Sequence, residues 1–302
     1  MGGMLPGNKV TPEIAEARDI EVGKDCLSPA WHSEFDTPLE MMHFVKKLRR
    51  LAGGKPVGIK FCVGSRHEVL TLCKAMIKAK TAPDWITVDG AEGGTGAAPL
   101  EFLDRVGTPL TEGLMIVHNA LVGTGLRDQV AIGAAAKVVG GADIIRRLAI
   151  GADFTMSARG MMMAAGCIQA MKCHENTCPT GVATQNPWLT RGLDVDQKAE
   201  RVANYHRNTL KSTVRILGAM GLHDVSQLGP SHIIRRVDQT QARPYEDLYP
   251  WLEPNSLLDG SAPDDWQRDY DRANYDTYAT LPPVTGRVRR PGHHFSGQNT
   301  QL

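Results

Sequence analysis

The sequence predicts an α/β fold built on parallel strands, and three observations carry that reading. Four short, mostly apolar runs, VGIKFC at 57–62, WITV at 85–88, VAIG at 130–133 and DFTM at 153–156, alternate with stretches of helical periodicity. Each of these runs gives way to a loop or turn rich in glycine or small residues. Near-continuous apolar strands, rather than alternating ones, belong to a parallel sheet covered by helices. Four such units fit part of a (β/α)8 TIM-type barrel, whose functional loops follow the C-terminal ends of the strands. An open, flavodoxin-like sheet is the alternative the same strands allow.

The elements follow in order. Residues 1–36 are turn-rich, with one start signal in Thr11-Pro12-Glu13: a cap, a proline at the first helical position and an acid in the first turn. Thr37-Pro38-Leu39-Glu40 is a fuller signal, because Glu40 completes a capping box. The helix it opens runs to about Leu51, with Leu39, Met42, Val45 and Leu48 on one face, and Gly53-Gly54 stops it. The first strand follows, then a helix over 66–80 with Val69, Leu72, Cys73, Met76 and Ile77 at helical spacing. The second strand ends in Asp89 and the loop GAEGGTGAAP. A glycine-containing helix over 113–126, the third strand, a short helix over 143–151 and the fourth strand complete the series.

Beyond the strands, Asp194 and Gln197 read as an N-cap pair for a long helix ending at Gly221, with early acids and late bases as the helix dipole favours. The domain plan is therefore a turn-rich segment over 1–36, the partial barrel over 37–221 and an extension over 222–302. That extension holds proline-rich stretches and one short helix over 263–272 with Trp266 and Tyr270 four apart, and fraying is expected after about residue 282.

Composition excludes several classes. Of 302 residues 42% are hydrophobic and 22% charged, which is ordinary for a soluble protein. A net charge of +1 gives no footprint for nucleic acid or an anionic membrane. There is no apolar stretch long enough for a transmembrane helix and no apolar leader at the N-terminus, so the expected compartment is the cytoplasm.

The chemistry-bearing residues gather at the loops. Cys167, Cys173 and Cys178 are spaced C-x5-C-x4-C, with Pro179 after the last. Zinc sites usually show closer pairs. Three thiolates on one short loop suit iron, and the lack of a fourth ligand points to a three-iron cluster. Three ordinary core cysteines are the other reading. Cys26, Cys62 and Cys73 read as buried small hydrophobes. Gly93-Gly94-Thr95-Gly96 offers bare backbone amides to a flat cofactor or its phosphate, or is a plain loop. Lys60, inside a buried strand, faces either a polar ligand cavity or the strand edge. Ser157 and Arg159 end the fourth strand where a barrel binds phosphate, and the run that follows leads directly to Cys167.

These segments, VDGAEGGTGAAP, HNALVGTGLRDQV and SARGMMMAAGCIQAMKCHENTCPTGVATQ, resemble the synthase domain of glutamate synthase, and most of all the stand-alone, archaeal-type FMN-binding form. The resemblance covers roughly residues 3–258 and implies a (β/α)8 barrel carrying FMN and a [3Fe–4S] cluster. It places the cluster on Cys167, Cys173 and Cys178, and the flavin site on Lys60, Gly93 to Gly96, Lys137, Ser157 and Arg159. It implies that electrons enter through the cluster, reduce FMN and leave as a hydride to 2-iminoglutarate, formed from 2-oxoglutarate and ammonia. Lys60 is then the catalytic candidate, with Arg66 beside it facing the dicarboxylate or the reduced flavin. His118 and Asn119 lie where the larger synthases have a His-Gln pair, which leaves them either at the mouth or in helix packing and turn capping.

Two departures from that family pattern bear on function. The chain resembles only the later part of the barrel, so a second chain or self-association is expected to complete it. Where the family has Ser-Gly-Lys after the third strand, this chain has Ala135-Ala136-Lys137, which removes a hydroxyl donor and adds a β-carbon. The implied partners are a glutaminase subunit or free ammonia, and an electron-donor protein or an NAD(P)H-oxidising subunit. A non-catalytic fragment that keeps the cysteine loop without a working flavin site is the alternative.

Overall fold

The computed structural model describes residues 3–29, 31–94, 102 and 104–278. Its centre is a parallel sheet of four strands, β3 (Gly58–Cys62), β4 (Trp85–Asp89), β5 (Ala131–Ala134) and β6 (Phe154–Thr155), in that spatial order. These are the four expected strands, and every neighbouring pair is parallel. The sequential order is that of a barrel segment, whereas a flavodoxin-like sheet reverses direction at its first strand. Barrel closure is not seen among the described residues.

The register explains which face is covered. Ile86 and Val88 on β4 and Ile132 and Ala134 on β5 are buried in one core with α3 (Arg66–Ala79) and α4 (Leu110–Gly123). The opposite face carries the row Lys60, Thr87, Gly133 and Phe154, aligned in register across all four strands. Two glycines on this face accept aromatic lids. A β-carbon on Gly58 would lie 1.9 Å from the Trp85 indole, and one on Gly133 would lie 2.5 Å from the Phe154 ring.

The remaining elements pack around this sheet. Before it come β1 (Met4–Leu5), α1 (Pro12–Arg18) and β2 (Cys26–Leu27), with β1 and β2 antiparallel, and then α2 (Pro38–Leu51). Thr37 and Glu40 form the expected capping box on α2, and Ser65 with Glu68 forms another on α3. Asp84 accepts bonds from the Val57 N–H at 2.6 Å and from Arg49, which fixes the start of β3 against α2. Two helix boundaries move from their expected places. The helix expected over 113–126 begins at Leu110 and ends at Gly123, with Gly125 at φ +68 just beyond. The helix expected over 143–151 is α5 (Gly141–Ala149), because Asp143 sits at the third position and its carboxylate caps the N–H groups of Val139 and Gly140.

A short helix α6 (Arg159–Ala164) follows β6, and the long α7 (Val195–Ala219) is capped by Asp194, which accepts from the Gln197 N–H at 2.8 Å. The extension then folds back as an antiparallel hairpin, β7 (Ile234–Arg236) and β8 (Ala242–Pro244), which no sequence pattern announces. Three short helices follow, α8 (Tyr245–Leu248), α9 (Ser256–Asp259) and α10 (Asp264–Arg272), the last close to its expected place. Tyr245, Leu252, Leu257, Ala262, Trp266 and Ala273 belong to the same buried core as β4 and β5. The fraying expected after about residue 282 lies outside the described residues.

Candidate functional site

The site is built on the C-terminal ends of β3 to β6. Lys60 projects from the face opposite the buried core, half-exposed, and forms a close ion pair with Asp89 at the end of β4. Asp89 also accepts the Gly90 N–H at 3.0 Å. A β-carbon on Gly93 would lie 2.3 Å from Asp89 Oδ1, so only a glycine lets the loop pass this close. Gly94 has φ +105. Thr95 and Gly96 lie outside the described residues.

Arg159, the first residue of α6, reaches the other side of the same loop, with Nη2 at 3.4 Å from the carbonyl oxygens of both Gly93 and Gly94. Lys137, after β5, pairs with Asp104 at 2.9 Å, and the bond from Lys137 together with the charge of Arg159 holds the Asp104 carboxyl below its usual range. Lys60, Gly93, Gly94, Lys137 and Arg159 therefore share one end of the sheet. Ser157 is there too, with a buried hydroxyl that has no hydrogen-bond partner among the described residues. A β-carbon on Gly160 would meet that hydroxyl at 2.8 Å and the Tyr205 hydroxyl at 2.3 Å. Tyr205, from α7, donates to the Val139 carbonyl and was not singled out by sequence. Its signal, one tyrosine on a long amphipathic helix, is too common to stand out.

The residues after β5 carry the strain of this region. Ala136 has φ +88 and Lys137 φ +47, both in the left-handed region that costs a non-glycine residue roughly 1–2 kcal/mol. A glycine would sit there without that cost.

One helix further on, Cys167, Cys173 and Cys178 line a single small cavity of about 10 Å³, with Met162, Thr180 and Ala183 among its other walls. Between the first and last cysteine, Gln169, Met171 and Asn176 all have positive φ, so the loop is wound tightly. Burial opposes the thiolate of Cys178, but the Thr180 hydroxyl and the backbone N–H groups of Thr180, Ala183 and Val182 outweigh it and bring its pKa below the ordinary value. Cys167 Sγ accepts the Gln169 N–H at 3.4 Å. No group of three or more His, Cys, Asp or Glu side chains among the described residues is arranged to hold a single metal ion. A cluster makes a different demand: each of three irons takes one thiolate, and N–H groups pointed at sulfur stabilise the anionic ligands. The donor set of this loop fits that demand.

The other cysteines divide. Cys73 is buried, and burial pushes its thiol up to about 12. Cys62 is exposed at the end of β3 and Cys26 is half-buried, which corrects the expectation that all three are core residues.

Three expected substrate residues are not gathered with the rest. Arg66 donates to Asp265 Oδ2 at 2.7 Å, to Asp269 Oδ2 at 2.7 Å and to the Asp265 carbonyl, with its guanidinium 4.6 Å from the Trp266 ring centre. It clamps α10 to the start of α3. Asn119 is buried, donating to the Pro250 carbonyl and accepting from the Leu252 N–H, each at 2.9 Å. His118 lies edge-on to Trp251, and burial, helped by the Arg127 charge, drives its pKa down to about 4. For both His118 and Asn119 the structure favours the packing reading over the mouth.

A parallel β/α sheet with cations and a glycine loop at its C-terminal ends, followed by a three-cysteine loop, places this chain among the parallel β/α proteins. The sequence matches the conserved region in glutamate synthase over residues 1–223, and the chain belongs to the glutamate synthase family. It is 43% identical over 235 residues to the glutamate synthase large subunit-like protein YerD of Bacillus subtilis, covering 78% of this chain and 45% of that protein. It is 36% identical over 231 residues to the archaeal-type glutamate synthase [NADPH] of Thermotoga neapolitana, covering 76% and 44%. It is 34% identical over 229 residues to the archaeal glutamate synthase [NADPH] of Methanocaldococcus jannaschii, again covering 76% and 44%. The chain thus spans about half the length of these relatives. No helix among the described residues is long and apolar enough to cross a membrane.

Proposed function

We propose that this chain provides the phosphate end of an FMN site and the [3Fe–4S] loop of a glutamate synthase-type oxidoreductase acting in the cytoplasm. The observation that carries the reading is the convergence of Lys60, Gly93, Gly94, Lys137, Ser157 and Arg159 at one end of four parallel strands, one helix away from three cysteines that share a cavity. When bound, FMN supplies hydride transfer to 2-iminoglutarate, formed from 2-oxoglutarate and ammonia, and the cluster supplies one-electron delivery from a donor protein or an NAD(P)H-oxidising subunit.

This chain's own residues do the following. Arg159 and Lys137 offer positive charge to the phosphate, and the unpartnered Ser157 hydroxyl offers it a hydrogen bond. Gly93 and Gly94 let the backbone approach the flavin. Lys60, held by Asp89, faces the open side of the sheet, where it stabilises negative charge on the reduced flavin or the dicarboxylate. With Arg66 committed to α10, Lys60 carries that role. Cys167, Cys173 and Cys178 would hold the cluster.

A non-catalytic role is the second reading, favoured by Ala136 at φ +88 in place of a glycine. Anaerobic reconstitution with iron, sulfide and FMN, followed by a visible spectrum and iron analysis, separates the two. The proposed function expects iron in the wild type and none in Cys173→Ser. It also expects FMN to be held weakly by the 302-residue chain, since the described sheet walls only one side of the pocket. Adding the remaining N-terminal length of a relative in trans then restores retention. No iron after reconstitution overturns the cluster assignment. Stoichiometric FMN on a monomer through gel filtration overturns the need for a second wall.

A further inference from the structure

The N-terminal segment reaches the cysteine loop through one side chain. Lys9 Nζ donates to the Cys173 carbonyl at 2.8 Å and to the Ala183 carbonyl at 3.2 Å. Both Cys173 and Ala183 line the cysteine cavity. A third bond ties the same two regions, from Asn176 Nδ2 to the Asn8 carbonyl at 3.2 Å. The turn that presents Lys9, Gly7–Lys9, is itself held in place. The Gly7 N–H donates to Asp25 at 2.6 Å, and a β-carbon on Gly7 would lie 2.2 Å from the Gly23 carbonyl oxygen. A lysine half-buried against two carbonyls costs desolvation and chain entropy that surface packing alone does not explain.

The charges around the loop sharpen the point. Glu175 is paired with Lys172 at 2.8 Å and lies 3.6 Å from His174, so the local carboxylate is already neutralised. Lys9 has carbonyl partners and, among the described residues, no ion pair with a carboxylate. Its charge therefore stands uncompensated beside the cavity.

We propose that Lys9 is a positioning residue for the iron–sulfur loop: its two hydrogen bonds hold the Cys173 and Ala183 backbone in the ligating arrangement, and its charge raises the cluster's reduction potential. The inference rests on the cluster assignment made above. A nearby cation favours the more negative, reduced state of a cluster, and hydrogen bonding around the sulfurs sets how firmly it is held.

Three variants of the full chain separate these effects: Lys9→Arg keeps charge and donors, Lys9→Gln keeps a donor without the charge, and Lys9→Met keeps neither. Each is reconstituted anaerobically, its fold checked by circular dichroism, and its iron content and midpoint potential measured. Lys9→Arg is expected to match the wild type. Lys9→Gln is expected to retain iron while the one-electron equilibrium moves about tenfold towards the oxidised form, a negative shift of about 59 mV. Lys9→Met is expected to lose iron during gel filtration, with faster hydrogen exchange over residues 173–185. Wild-type iron content and potential in both Lys9→Gln and Lys9→Met overturn the role of Lys9 and leave the cluster assignment standing. No iron in the wild type overturns both.

Discussion

Replacing Asn119 with alanine tests whether this residue is structural or belongs to the mouth. Its side chain is 1% exposed and makes two hydrogen bonds of 2.9 Å, one to the Pro250 carbonyl and one from the Leu252 N–H. Asn119→Ala leaves the buried Leu252 N–H unpaired, at roughly 1–3 kcal/mol, and takes a partner from the part-buried Pro250 carbonyl at a smaller cost. The expected loss is about 3 kcal/mol. For a chain of this size each kcal/mol moves the melting temperature by about 2–4 °C, so the midpoint should fall by about 6–12 °C. Asn119→Asp, which keeps the acceptor for Leu252 and loses the donor to Pro250, should fall by less. Thermal unfolding followed by circular dichroism reads both, with FMN retention measured in parallel. An unchanged melting temperature together with loss of ligand binding would refute the packing argument and return Asn119 to the mouth.

Three further outcomes are expected. The His118 pKa falls from 6.5 to about 4 on folding, so between those values the unfolded chain binds more protons and stability drops as pH falls; at about 1.36 kcal/mol per unit the loss is about 3 kcal/mol, and denaturant melts at pH 7 and pH 4 should show it in the wild type and not in His118→Phe. Ala136→Gly should raise the melting temperature slightly, because about 1–2 kcal/mol of left-handed strain is relieved against a smaller entropic cost, whereas Ala136→Val should lower it; a pair of equal midpoints would contradict the strain at φ +88. Arg66→Lys keeps the charge but loses the forked contact with Asp265 and Asp269 and the stacking on Trp266, and should cost about 1–2 kcal/mol in chemical denaturation; no loss would mean that charge alone docks α10.

What could be read from the sequence follows the range of the interactions. The four strands, the Thr37 and Asp194 caps and the turn at Gly221 are local patterns of period, propensity and backbone freedom, and all are found close to where they were expected. The gathering of Lys60, Gly93, Lys137 and Arg159 was also legible, because parallel strands bring their C-terminal ends to one side. Arg66 shows where such reading stops. One turn beyond Lys60 it looked like a site residue, yet its carboxylate partners lie about 200 positions later, and nothing local records them. Lys9 was missed for the same reason, since its acceptors are carbonyls in a loop more than 160 residues away and any residue type supplies those. The β7–β8 hairpin is exposed along both strands except at Pro244, so it lacks the alternation of buried and exposed residues that announces a strand.

The shared core of the extension and the sheet has a practical consequence for cutting the molecule. Similarity to the glutamate synthase conserved region ends at residue 223, yet Tyr245, Leu252, Leu257, Trp266 and Ala273 fill the same interior as β4 and β5. The family match and the packed core thus draw the boundary about fifty residues apart. A shortened protein ending at residue 223 would expose the backs of α3 and α4 and lose the partners of Arg66 and Asn119. Anyone transplanting this half-sheet into another scaffold has to carry the strap along with it, although the strap holds none of the residues expected to touch a cofactor.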